Sequence, residues 1–312
     1  MSTTGSSAPA DQRPNSTRAA ILVPFAVVTV IWGSTWLVIR DQIAVVPAGW
    51  SVAYRFLVAG VAMAGWALVR RDSWRLDARG LLFAAAVGVA QFVLNFNFVY
   101  RAEAFITSGL VAVVFAMLLV PNAALARIFL GQRMGGQLLA GSAVAMAGVV
   151  LLFVRELRAD PSGGTTTLAG IGWTLAAIGS ASSANILQAT ETARRYAMAP
   201  VLAVAMLLGA ALDAAIAWYL SGPPQFEARI GYVAGIVYLG LAASALAFPL
   251  YYRVLRVIGP AKAAYSSVLV PVIAMLLSTA FEGYRWTPLA GAGAALTALG
   301  LVIALSARRP AR

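Results

Sequence analysis

Long apolar stretches separated by short polar breaks constrain this chain more than any other feature of its sequence. A helix needs about 20 apolar residues to cross a hydrocarbon core of ~30 Å. Ten such stretches lie near residues 20–39, 51–69, 80–99, 105–126, 134–154, 168–189, 199–219, 231–252, 261–281 and 287–306. Hydrophobic residues make up 61% of the chain and charged residues only 11%, unlike ordinary soluble domains. The expected fold class is an all-α integral membrane protein with ten transmembrane helices.

The two halves of the chain resemble each other weakly. Residues 249–301 echo residues 99–151 in register, and the motif Leu-Ala-Gly occurs in both. The matched positions are Pro121 with Pro271, Gln132 with Glu282, and Gly141 with Gly291. Because each copy holds five predicted helices, an odd number, the second copy must start on the opposite side of the membrane. We therefore predict two inverted five-helix repeats, a recurring construction of secondary transporters.

These features divide the chain into five parts. Residues 1–18 are polar and form a predicted disordered cytoplasmic tail, and residues 308–312 form a basic cytoplasmic tail. The first repeat covers 19–154 and the second 168–307, joined by a loop over 155–167.

Basic residues indicate the orientation. With ten spans, 16 arginines and lysines fall on the side of the termini and 6 on the other, with Arg55 inside a span. The positive-inside rule then predicts that both termini are cytoplasmic. The net charge of +12 is spread over many short loops, so we do not expect a nucleic-acid partner.

Several kinds of chemistry are excluded by composition. The chain has no cysteine and no histidine, which removes disulfides, thiolate sites and the commonest metal ligand. Hydrolase and phosphate-loop motifs are also absent from the sequence. We expect no enzyme activity, no cofactor and no metal.

Polar side chains inside apolar spans are costly unless they are paired or face a wet cavity, which makes them candidates for a binding site. They fall in the first, third and sixth spans at helical spacing. The candidates are Trp32, Ser34, Thr35, Trp36, Gln91, Asn95, Asn97, Ser182, Asn185 and Gln188. We expect these stripes to meet across a central cavity that binds a polar solute. Two alternatives stay open: the polar groups could join helices, and the tryptophans could form an interfacial belt.

Charged residues within or beside spans are few. Arg55 and Asp213 both fall in the outer third and could pair, while Asp213 and Glu282 are candidates for proton coupling. Pro121 and Pro271 each remove a backbone hydrogen bond within a span, so we expect kinks or hinges there.

Several of these residues also carry a family resemblance. Trp32-Gly33-Ser34-Thr35-Trp36, Pro47 and Arg55-Phe56 resemble the opening of the EamA-type, ten-helix branch of the drug/metabolite transporter superfamily. Pro121 with Gly131-Gln132-Arg133, and Pro271 with Glu282-Gly283, resemble its pattern at the ends of the fourth and ninth helices. Gln132 replaces the usual acid in the first copy, and Phe281 replaces the usual glycine in the second.

The resemblance implies an exporter or exchanger of small metabolites, commonly amino acids, in a bacterial inner membrane. We expect a secondary transporter that works by alternating access, with a small-molecule substrate and membrane lipid as partners. A channel-like facilitator or other non-carrier membrane protein is the alternative. The sequence indicates neither the solute nor the oligomeric state.

Overall fold

The computed structural model describes residues 14–132, 135–159, 164–264, 266–281 and 283–305. Every regular element in these parts is helical. The first half contains α1 (Pro14–Gln42), α2 (Ala48–Val69), α3 (Ala78–Val87), the π-helix π1 (Gly88–Asn95), α4 (Phe96–Glu103), α5 (Ser108–Phe115), a 3-10 turn (Ala116–Leu118), α6 (Leu119–Leu130) and α7 (Gly136–Ala159). The second half contains α8 (Thr165–Ala189), α9 (Glu191–Arg195), α10 (Met198–Ser221), α11 (Ile230–Gly240), the π-helix π2 (Leu241–Leu246), α12 (Ala247–Ile258), α13 (Pro260–Ala263), α14 (Ser266–Phe281) and α15 (Pro288–Leu305).

Six helical segments within the described residues are long and apolar enough to cross a membrane. They are Ile21–Gln42, Ala48–Val69, Ala78–Glu103, Ser108–Leu130, Met198–Ser221 and Ile230–Ile258. The other four predicted spans coincide with α7, α8, α14 and α15. Polar Ser, Thr and Asn side chains reduce the hydropathy of α8, and α14 has only 16 residues.

Two helix boundaries lie close to the predicted divisions of the chain. Helix α1 begins at Pro14, so the last residues of the predicted tail are helical, consistent with the preference for proline in the first helical turn. Helix α7 continues to Ala159 and α8 starts at Thr165, which makes the break between the halves shorter than 155–167. Residues 1–13 and 308–312 lie outside the described residues.

Helices at matching positions of the two halves pack on each other. Helix α2 packs along α10, and α7 packs along α15. Helix α1 contacts α12 and α14 of the second half, whereas α8 contacts α4, α5 and α6 of the first. Helices of each half therefore pack against helices of the other half.

The first helices of the two halves run in opposite directions. Near the end of α1, the Arg40 guanidinium donates to the backbone carbonyl of Glu103, at the end of α4. Near the start of α8, Gly170 packs against Ile106, which follows Glu103 by three residues. The end of α1 and the start of α8 thus lie at the same face of the bundle.

The described part of each half contains one π-helix, and the two occupy equivalent places. Helix π1 begins about ten residues into the segment 78–103, and π2 about eleven residues into the segment 230–258. A π-helix places one extra residue in a turn and shifts the backbone hydrogen bonds, and such insertions are frequent at functional sites.

The two prolines named above have different local backbones. The 3-10 turn Ala116–Leu118 lies immediately before α6, and Pro121 has no N–H to bond the carbonyl of Met117 in that turn. Helix α14 continues past Pro271 without a change of helix type. A hinge function for either proline stays a prediction.

The close contact between α7 and α15 depends on glycine. A methyl group on Gly300 would collide with the backbone of Ala145 and Gly141, whereas a methyl group on Gly291 of the same helix would meet nothing. Small residues at helix crossings in membranes allow this kind of close packing.

We predict that Gly300→Ala lowers the melting temperature of the purified protein in detergent, because α7 and α15 must separate to admit the methyl group. Overpacking of this kind costs about 1–3 kcal/mol. Gly291→Ala is the matched control and should leave the melting temperature unchanged or slightly raised. Equal effects of the two substitutions would contradict the packing account.

Candidate functional site: a cavity between the two halves

A cavity lies between the halves and is lined by residues from both. Its volume is about 90 Å³, which is enough for several waters or a small solute. The first half contributes residues of α1, α2, π1, α4 and α5 together with Leu118 of the 3-10 turn, and the second half contributes residues of α8, α12 and α14. The polar or charged residues of the lining are Thr35, Arg55, Gln91, Asn95, Asn185, Tyr251 and Ser266.

Aromatic rings form much of the apolar wall. The Trp32 ring centroid lies 5.3 Å from that of Phe248 and 5.0 Å from that of Tyr251. Trp36 lies 5.6 Å from Phe115 and is 7% exposed. Both tryptophans line the cavity.

The π-helices supply polar groups to this wall. The indole Nε1 of Trp32 donates to the backbone carbonyl of Ala243 in π2 at 3.1 Å. Helix π1 carries Gln91 and Asn95, which are 4% and 2% exposed. The Tyr252 hydroxyl donates to the Gln91 side-chain carbonyl at 3.4 Å, whereas the Asn95 side-chain oxygen accepts no hydrogen bond. Asn95 therefore presents an unused acceptor beside the cavity.

A buried polar cluster adjoins the cavity at Asn185. The Asn122 amide donates to the backbone carbonyl of Pro260 at 3.2 Å. Its side-chain oxygen accepts from Ser182 at 2.7 Å and from Asn185 at 3.4 Å. The cluster joins α6 to α8 and to the start of α13, so it links the two halves.

Six of the ten predicted binding residues line the cavity. They are Trp32, Thr35, Trp36, Gln91, Asn95 and Asn185. The other four form hydrogen bonds to neighbouring helices. Ser34 shares a hydrogen bond with the Tyr238 hydroxyl at 2.6 Å, Asn97 donates to Asp213 at 2.7 Å, and Gln188 accepts from Arg256 at 2.7 Å. Ser182 belongs to the Asn122 cluster.

The structure does not join Arg55 to Asp213. The Asp213 side chain is fully buried and accepts from Asn97, while the Arg55 Nε donates to Ser244 at 3.0 Å. Arg55 lines the cavity, and Asp213 is not among the lining residues. Glu282, the third residue in this group of predictions, lies outside the described residues.

Sequence reasoning missed several parts of the site. Phe248 and Tyr251 of α12 also line the cavity. They are three residues apart, a spacing that puts both rings on one helix face, and this spacing could have identified them from the sequence. Asn122 follows Pro121 directly and is an amide within an apolar span, so it met the criterion used for the other candidates. Ser244 also lies within a predicted span, but its contact with Arg55 could not be predicted because it depends on π2.

Polar contacts outside the apolar spans hold the ends of the bundle. At the end where α10 begins, Asp77 accepts from the Tyr196 hydroxyl at 2.6 Å and from the Gly80 N–H at 2.8 Å, and these bonds lower the pKa of the Asp77 carboxyl. Their contribution to stability is present above the ordinary pKa of aspartate and is lost as the pH falls through the lowered value. At the other end, Arg229 pairs with Asp41 at 2.8 Å and with Glu227 at 2.9 Å, and the pKa of the guanidinium is raised.

In the parts of the chain that the structure describes, no cluster of three or more acidic, histidine or cysteine residues could hold a metal ion. The structure contains a cavity that is lined by polar and aromatic residues and enclosed by apolar helices. The molecule is thus a multi-pass membrane protein with a solute-sized site between two related sets of helices.

Comparison with known families agrees with this class. The model of the EamA-like transporter family matches residues 19–154 and again residues 168–306. The chain belongs to the EamA-like transporter family, which confirms the resemblance seen in its motifs, and it is a membrane transporter.

Individual relatives share less than a third of their aligned residues with this chain. Protein PagO of Salmonella typhimurium is 22% identical over 86% of both chains. The inner membrane transporter YedA of Escherichia coli, itself uncharacterized, is 29% identical over 81% of this chain and 80% of its own. A probable terminal-alkyne amino-acid exporter of Streptantibioticus cattleyicolor is 29% identical over 89% of this chain and 91% of its own. A crystal structure with 19% identity shares the fold, with a TM-score of 0.67 over 92% of this chain and 97% of that chain.

We predict that Ser182→Ala lowers the melting temperature in detergent, because it removes a buried hydrogen bond between α8 and α6. Such bonds between membrane helices contribute on the order of 0.6 kcal/mol, up to ~2. Ser183→Ala is the control, since Ser183 is exposed and bonds only to the Gly179 carbonyl of its own helix. A similar loss for both variants would show that the Asn122 cluster does not hold the halves together.

Proposed function

We propose that the protein is a secondary transporter that moves a small polar metabolite, an amino acid or a related compound, by alternating access. The observation that carries this proposal is the cavity between the halves, where amide side chains and aromatic rings face the same space. Amide groups suit the polar atoms of an amino acid, and tryptophan faces suit its apolar side chain. A relative described as a probable amino-acid exporter supports the same class of solute.

We propose that the chain crosses the membrane ten times as two inverted five-helix repeats, over 19–154 and 168–307. Support comes from the opposite directions of α1 and α8, from the pairing of α2 with α10 and α7 with α15, and from the equivalent π-helices. An inverted repeat lets one half exchange conformations with the other, which is the basis of alternating access around a fixed site.

The proposed location is the bacterial inner membrane with both termini cytoplasmic, as the 16-to-6 distribution of basic residues favours. With this orientation the Asn122 cluster lies toward the cytoplasm. Export or exchange is the proposed mode. A carrier is proposed over a channel-like path because the polar groups of the cavity lie within one enclosed space between the two halves.

We predict saturable counterflow of at least one labelled amino acid in proteoliposomes, tested with a panel of the common amino acids. Asn95→Ala should reduce the exchange strongly, because Asn95 is buried in the cavity wall. Ser183→Ala, on the lipid-exposed side of α8, should exchange like the wild type. Ion currents without counterflow would support the channel reading and contradict a carrier.

Energy coupling is a separate proposal. We propose solute exchange that needs no proton site at Asp213, since this residue is buried behind the lining and accepts from Asn97. Asp213→Asn keeps an acceptor for Asn97, so we expect exchange to continue and to change little between about pH 5.5 and 8. Loss of pH-driven uptake in this variant, with exchange retained, would instead identify Asp213 as the coupling carboxylate.

A further inference from the structure

Among the described residues that line the cavity, Arg55 is the one that carries a charge. It lies in the second turn of α2 and is only 1% exposed. A guanidinium buried at membrane depth is costly unless its donors and its charge are compensated. The groups around Arg55 therefore indicate which kind of solute the cavity can bind.

The guanidinium is held firmly on one side. Its Nε donates to Ser244 Oγ at 3.0 Å, and the Ser244 hydroxyl donates in turn to the Leu239 carbonyl at 2.8 Å. Its central carbon lies 4.2 Å from the Phe96 ring centroid and 5.4 Å from that of Phe56, positions suited to cation–π attraction. These contacts fix the plane of the group.

The other side of the guanidinium keeps an unused donor. Nη1 of Arg55 is buried and donates to no group among the described residues. The Tyr100 side chain interacts with the guanidinium, and Asp213 is engaged by Asn97. Arg55 thus lines the cavity and keeps one N–H that has no partner among these residues.

An unused acceptor borders the same space. The side-chain oxygen of Asn95 is buried and accepts no hydrogen bond from the residues that the structure describes. One cavity therefore presents a positive donor from Arg55 and a neutral acceptor from Asn95, with the rings of Trp32 and Trp36 in the same wall. A solute with a carboxylate, an ammonium group and an apolar side chain would satisfy all of these groups at once.

We propose that Arg55 binds the carboxylate of the transported solute and that Asn95 accepts from its ammonium group. Guanidinium groups bind carboxylates through a planar pair of N–H donors, which gives both affinity and orientation. A monoanion is favoured over a phosphate dianion, since the lining holds a single cation. This inference rests on the proposed transport function and narrows its substrate to α-amino carboxylates.

The first test uses the wild-type protein and the labelled amino acid that exchanges fastest. Competitors are L-leucine, L-leucinamide, 3-methylbutylamine and 4-methylpentanoate, with the corresponding L-phenylalanine series and inorganic phosphate. We expect the free amino acids to compete best and the carboxylates without an amine next. The amides and amines should be weaker by roughly 10- to 100-fold, the factor that loss of a charged hydrogen-bonded pair produces.

The second test uses Arg55→Gln and Arg55→Lys. We expect Arg55→Gln to abolish the preference for leucine over 3-methylbutylamine, and Arg55→Lys to retain part of it because the charge remains. Arg70→Gln is the control, since Arg70 lies at a surface turn and pairs only with Asp72. Monodisperse elution in size-exclusion chromatography establishes that the variants are folded, and the wild-type competition series stands without them.

The outcomes distinguish a failure of the role proposed for Arg55 from a failure of the proposed amino-acid transport. Exchange in which amines and amides compete as well as amino acids would overturn the role of Arg55 and leave a transporter of another solute class. Competition by phosphate alone would also overturn the carboxylate assignment. Absence of counterflow for every amino acid in the panel would contradict the proposed amino-acid transport and this inference with it.

Discussion

Lipid leaves the backbone of a membrane protein no external hydrogen-bond partner, so any departure from regular helix must be compensated inside the protein. The two π-helices are such departures, and their compensation builds the site. In π2 the Ala243 carbonyl accepts the Trp32 indole N–H, and Ser244 bonds to the carbonyl of Leu239, five residues earlier. Ser244 then positions the Arg55 guanidinium. The positions of Trp32 and Arg55 at the cavity therefore depend on the irregular turn in the opposite half of the chain.

Side-chain contacts join the two halves at several places. Asn122 links α6 to α8 and to Pro260. Ser34 bonds to Tyr238 of α11, and near the end of α1 Asp41 pairs with Arg229. Alternating access requires that such contacts break at one end while the other end stays closed. Direct side-chain hydrogen bonds, each of modest free energy, suit contacts that must open repeatedly.

Much of this architecture could be predicted from the sequence, because lipid imposes simple rules on apolar length and on buried polar groups. The lengths of the apolar stretches located the helices, and polar residues within them led to Gln91, Asn95 and Asn185. Periodicity could not separate cavity residues from helix-joining ones, because both need a polar group on a buried face. Ser34 and Asn97 met the same criterion as Thr35 and Asn95, yet their partners are Tyr238 and Asp213. Partner choice is a tertiary property, and so is the π-helix that brings Ser244 to Arg55.

Access to the cavity from each side of the membrane is the most direct measure of this account. The chain has no cysteine, so Thr35→Cys introduces a single thiol at a cavity position. Its labelling by a membrane-impermeant maleimide can be measured in intact cells and in inverted membrane vesicles, with and without a transported amino acid. The account predicts labelling from both sides, with the amino acid slowing it in each preparation. Labelling from one side only, or labelling that no amino acid slows, would contradict a solute site that alternates between the two faces.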